Sequence, residues 1–321
     1  MKFRTEITIA PWSKKIEYTD SIVCIGSCFA SNIAAKLKES KFNVVDNPVG
    51  ILFNPASIAN SIRLMTSQRT INDGDIFERN GRYVSFMFHS SLSGTTPTEA
   101  VSMMQNAVAI GGEALKNAKL IIVTLGSAYV WRDKSGEVVA NCHQVGAKNF
   151  TTELLSLEQI VQNLEDIVNL TSATILFTVS PVRHLNDGLE GNSLSKALLR
   201  VAINKIVEKH PDRASYFPSY ETVMDDLRDY RFYNSDMLHP SAQAVEYIAE
   251  KFFEMALSES AKEQRSKVLE IMQARNHRPL NPTSDAYKNF CQQQLDTIAE
   301  LKAIDFSEEK DYFEQMLQIN L

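Results

Sequence analysis

Cysteine is scarce: Cys24, Cys28, Cys142 and Cys291 are scattered through 321 residues, without the density of a disulfide scaffold. They read as reduced thiols. Cys24 and Cys28 lack the spacing and second ligand pair of a zinc site, and no His-x-x-x-His or Asp-rich loop occurs elsewhere, so neither metal nor cofactor is expected. No apolar stretch approaches the ~20 residues of a membrane span. Near the amino terminus Thr5, Glu6, Thr8 and Pro11 interrupt any apolar core of signal-peptide length, so a cytoplasmic, water-soluble protein is expected. A basic excess is also missing: the formal charge is −6 and no Lys/Arg stripe forms, which argues against a nucleic-acid partner.

Buried-strand patterns are present instead. Apolar, β-branched runs occur at 22–25, 120–124 and 174–179, each followed by turn residues and then by helical patterning. Residues 42–45 and 214–218 add two shorter strands. Leu157, Ile160, Val161, Leu164, Ile167 and Val168 recur at helical spacing, as do Val245, Ile248, Ala249, Phe252, Phe253 and Ala256, so each helix lays one stripe on the sheet. This alternation predicts an α/β three-layer sandwich around a parallel sheet of about five strands. Hairpin insertions are expected at 76–89, around Asn80-Gly81, and at 129–142, around Ser135-Gly136. The break at Asn276 to Pro282 separates a helical tail, so the expected division is 1–257 as the main domain and 258–321 as a helical extension. That extension packs on the core or, in a homo-oligomer, on a second subunit.

Chemistry concentrates at two places. Ser27 stands where the first strand gives way to a helix, at the strand end where ligands bind in open α/β sheets. Far downstream, Asp236 precedes His239 by three residues on a loop before an amphipathic helix. A serine hydroxyl needs a base, and the base needs an acceptor that fixes its tautomer, so Ser27, His239 and Asp236 suggest a nucleophile, a general base and its orienting partner. Ser27 can also be read as merely capping its helix, and Asp236 as capping the next.

The run Gly26-Ser27-Cys28-Phe29-Ala30 spells the signature of the GSCFA family, and the chain resembles that family, within the SGNH or GDSL-type hydrolases, over most of residues 20–256. Segments 50–55, 124–127, 141–143 and 180–184 also resemble family signatures. The resemblance implies a sandwich of flavodoxin-like type and a serine esterase acting on an acylated carbohydrate or small lipid ester. An acyltransferase using the same site and a catalytically silent binding module are the alternatives. It further implies an oxyanion hole built from the N–H of Ser27, a glycine N–H matched by Gly50, and an asparagine amide. Where Gly-x-Asn is expected the chain has Gly126-Ser127-Ala128. Asn54 and Asn141 are the available amides, with Asn141 preferred because His143 should follow it on the same side of an extended strand. His143 and His184 are expected to contact substrate. Cys28 reads as packing.

Overall fold

The computed structural model describes residues 4–319. Strand β1 (Ser21–Gly26) leads into helix α1 (Cys28–Glu39), followed by β2 (Asn43–Asp46) and α2 (Pro55–Thr66). The hairpin β3 (Phe77–Arg79) and β4 (Arg82–Val84) precedes α3 (Pro97–Asn117) and β5 (Leu120–Leu125). Next come β6 (Tyr129–Arg132), β7 (Val138–Val139), β8 (Thr151–Leu154), α4 (Leu157–Asn169) and β9 (Thr174–Val179). Helix α5 (Gly188–Lys209), β10 (Ala214–Phe217), the single turn α6 (Ser219–Glu221) and α7 (Ala242–Ala256) complete the sandwich. Helices α8 (Glu259–Asn276), α9 (Asp285–Glu300) and α10 (Ser307–Gln318) follow.

Five parallel strands form one sheet in the order β10-β9-β5-β1-β2. In chain order this is 2-1-3-4-5 read from the other edge, the flavodoxin-like arrangement, whose topological switch point lies between β1 and β5. Ser27 begins immediately beyond β1 at that point.

Alternate residues of the central strands feed opposite layers. Ile22, Cys24, Ile122 and Leu176 join a core with Phe29, Ile33 and Leu37 of α1 and Ile248 and Phe252 of α7. Val23, Ile25, Ile121, Val123 and Phe177 meet residues of α2 to α5, including Ile58, Val108, Leu164 and Ile203. Both faces of the sheet are therefore covered, which is why its strands read as continuous apolar runs. The carboxy-terminal helices pack on the first core through Tyr287, Cys291, Phe306 and Phe313. Buried Glu309 ties them down, 2.7 Å from Lys41 and 2.8 Å from Arg275.

Both expected hairpins form, but the second pairs further: β8 adds to β6, making a three-stranded antiparallel sheet in the order β7-β6-β8. Among the described residues no helix is long and apolar enough to cross a membrane.

Candidate active site

The carboxyl end of β1 is built around a close approach of two strands. Gly26 has φ +146°, and a Cβ there would lie 2.2 Å from the Thr124 carbonyl oxygen of β5. Only glycine permits this contact. The next residue, Ser27, donates its N–H to the same Thr124 carbonyl at 3.0 Å and caps α1, its Oγ accepting from Phe29 N at 3.3 Å. Asn47, which sequence reasoning missed, clamps this corner: its Oδ1 accepts from Gly26 N at 2.8 Å while its own N–H donates to Cys24 O. The turn-forming run Asp46-Asn47-Pro48 after a strand was the available signal.

Residues 50–54 cross the ends of β1 and β5. Leu52 N donates to Gly26 O, and both Gly126 N and Ser127 N donate to Phe53 O, at 2.7 and 3.1 Å. Asn54 is buried and caps α2, its Oδ1 accepting from Ser57 N at 2.7 Å. Among the described residues its amide nitrogen has no partner. Gly50 departs from expectation: its N–H donates to Asn47 O at 2.7 Å, closing a turn, so it is not a free donor. The N–H of Ser27 is committed in the same way.

Asp236 and His239 form a local unit. His239 Nδ1 lies 2.7 Å from Asp236 Oδ2, while Asp236 Oδ1 accepts the N–H groups of Leu238 at 2.8 Å and His239 at 3.0 Å. Hydrogen bonds from His239 N, Leu238 N and the His239 ring hold this carboxyl down to about 2, so it is ionised at neutral pH. Leaving Nδ1 on the carboxylate keeps Nε2 available. The loop is fastened to the segment after β9, since Arg183 N donates to Leu238 O at 3.2 Å. On the β1 side, Asp236 is close enough to Cys28 for its charge to raise that thiol. Ser27 is buried and His239 half-exposed, and no hydrogen bond joins them in this structure.

His184 lies on the same edge. Its ring packs on Phe53, centroids 5.3 Å apart, and its backbone N–H donates to Asn192 Oδ1 at 3.0 Å. Beneath it Lys196 is almost fully buried, donating to Gly126 O at 2.6 Å and Ser180 O at 2.7 Å, the residues just beyond β5 and β9. Burial pushes Lys196 down to about 7, whereas its two carbonyl partners favour the ammonium. Sequence reasoning missed it because a lysine among polar residues of a helix reads as solvent-facing.

Asn141 and His143 are organised differently from expectation. They lie in a turn rather than an extended strand: His143 has φ +47°, and Asn141 Oδ1 accepts from His143 N at 2.8 Å, so an Asx-type turn displaces the strand. His143 Nε2 bonds Ser85 O at 2.7 Å and its ring packs near Phe77 and Phe86. Burial lowers its basicity, although the Ser85 carbonyl opposes this. Cys28 is half-buried against the first core and its thiol is pushed up, chiefly by burial. A cavity of about 470 Å³ opens elsewhere, between α2 and the β6–β7 hairpin, and none of the expected site residues lines it.

A family model described as the GSCFA family matches residues 21–252, and one described as the GSCFA domain protein, C-terminal domain, matches residues 268–319. No curated protein matches the chain.

Proposed function

The chain belongs to the GSCFA family, and from its Ser27 edge we propose that it is a serine hydrolase of SGNH type, cleaving an oxygen ester through an acyl-serine intermediate. The observation that carries this reading is the Asp236–His239 pair, 2.7 Å apart and tied by Arg183 to the sheet edge that presents Ser27. A carboxylate held ionised on Nδ1 orients the imidazole and stabilises the imidazolium that forms when Nε2 takes the serine proton. Half-exposed His239 closes on Ser27 as substrate is bound, since such hydrogen bonds commonly tighten only in the reactive complex.

In the acylation step Ser27 Oγ bonds to the ester carbon as its proton passes to His239. The carbonyl electron pair moves onto oxygen, and its return expels the alcohol, which leaves with the proton from His239. Water repeats the sequence to release the acid, and a sugar hydroxyl in place of water gives acyl transfer.

The test is turnover of p-nitrophenyl butyrate and of an acetylated monosaccharide, with and without a competing alcohol. Release of free acid without alcohol dependence supports hydrolysis, whereas acyl products confined to the alcohol identify a transferase. No turnover of either ester contradicts the proposal.

Asn141 turns its Oδ1 onto its own backbone at His143 N, away from an extended strand, so Asn141→Ala is expected to leave kcat within severalfold of wild type while lowering thermal stability. Steady-state kinetics and a melting curve check this together. A kcat loss of about 10²–10³ with unchanged KM would instead restore Asn141 to the oxyanion hole.

A further inference from the structure

The backbone donors of the expected oxyanion hole are already engaged. Ser27 N already donates to Thr124 O and Gly50 N to Asn47 O, while Gly126 N and Ser127 N both donate to Phe53 O. At the third position Ser127 and Ala128 provide no amide. The Ser127 hydroxyl accepts from Tyr129 N and lies 3.3 Å from Ser195 Oγ. Beside the Asn54 amide, whose nitrogen has no partner among the described residues, negative charge developing on a bound carbonyl has room for a further donor.

His184 carries an unmet one. Its Nε2 is buried and has no hydrogen-bond partner among the described residues. It is one of six buried side-chain polar atoms without a partner among the described residues, with Thr124 Oγ1 another at this edge, and such a nitrogen calls for an explanation. The ring is positioned from three sides: Phe53 packs on it, Asn192 holds its backbone, and Arg183 beside it is fastened to the loop carrying His239. A Cβ built on Gly126 would lie 3.0 Å from Nε2 and 2.8 Å from Phe53 Cβ. Glycine at 126 therefore lets the backbone lie against this nitrogen with no side chain crowding it. Gly126 stands just beyond β5, two residues after Thr124, whose carbonyl anchors Ser27.

We propose that the His184 imidazole supplies, through Nε2–H, the oxyanion-hole hydrogen bond that Gly126-Ser127-Ala128 cannot. This deepens the serine-hydrolase reading and rests on it. Burial first, then the positive field of Lys196 and the neighbourhood of His239, push His184 down to about 4, so at neutral pH its ring is neutral. A neutral imidazole carries one proton, and placing it on Nε2 makes that atom the donor. Lys196 adds a buried amine on the same edge, held by the carbonyls of Gly126 and Ser180. The proton inventory of the reaction is unchanged, because His184 donates a hydrogen bond and transfers nothing.

The test compares His184→Phe, which keeps a ring against Phe53 without the N–H, with His184→Gln, which restores a donor. With p-nitrophenyl butyrate the Phe variant is expected to lose about 10²–10³ in kcat at nearly constant KM, and the Gln variant to recover at least about tenfold. Should the Phe variant fail to fold, His184→Ala supplies the readout: added imidazole is expected to raise its kcat, which a purely structural loss would not allow. Wild-type kcat in a folded His184→Phe overturns the inference, as does a 10²–10³ loss confined to Asn54→Ala. Mass mapping of a fluorophosphonate adduct separates the two levels. An adduct on Ser27 with an indifferent His184 defeats this inference alone, whereas neither adduct nor turnover in the wild type defeats the hydrolase reading and this inference with it.

Discussion

Ser27→Ala and His239→Ala each lower ester turnover by about 10⁴–10⁶, and the double variant is no slower than the worse of the two. Nucleophile and base act as one unit, so removing either leaves the other with nothing to do. Ser27→Ala also removes the cap on α1, where the serine Oγ accepts from Phe29 N. That costs about 1 kcal/mol, too little to unfold the chain. Circular dichroism and a melting curve should therefore show a folded variant with background activity. Asp236→Asn is expected to fall between wild type and these variants, because an amide oxygen still accepts from Leu238 and His239 N–H while the anionic partner of Nδ1 is lost. The sign of its pH effect follows from the depressed carboxyl. With about 2 in the folded state and about 4 when unfolded, Asp236 contributes stability that is fully present above pH ~4 and is lost as pH falls through 2. Additive losses in the double variant, read from kcat/KM, would contradict a shared nucleophilic unit.

Gly26→Ala is expected to damage fold and activity together. The added methyl must enter 2.2 Å from Thr124 O, a backbone atom of the central strand, at a φ of +146° that L residues rarely adopt. Overpacking and backbone strain together cost about 2–6 kcal/mol. Relief requires β1 and β5 to separate where Ser27 hangs on the Thr124 carbonyl, so turnover should fall further than stability alone explains. Chemical denaturation and kinetics on the folded fraction check both parts. A variant as stable and active as wild type would show that the close approach at Gly26 is dispensable.

The central sheet was legible because its strands are buried on both faces and so read as uninterrupted apolar runs. Helices α4 and α7 declared themselves through one apolar stripe each. Strand β8 did not: Thr151 and Thr152 are exposed and only Leu154 shows an apolar signal, so its pairing with β6 depends on the tertiary context. At the candidate site, Ser27 and the Asp236–His239 pair were visible because strand-to-helix transitions and a three-residue Asp–His spacing are local. That Gly50 N is used was just as local, since it closes a turn on Asn47 O three residues back, signalled by Asn47-Pro48, but the family resemblance drew attention to the glycine as a donor instead. Lys196 and His184 were harder still. Their meaning lies in contacts with Gly126, Ser180 and Phe53, far away in sequence, and a lysine on a helix gives no sign that it will be buried. Asn141 misled because an extended strand was assumed where its own side chain closes a turn.

The most direct measurement is the reaction of native protein with a fluorophosphonate, followed by peptide mapping of the adduct. A single stoichiometric adduct on Ser27 is expected, absent from denatured protein and formed far more slowly in His239→Ala. Native protein that stays unlabelled, or that carries its adduct on Cys28 or another residue while Ser27 remains free, would contradict this expectation.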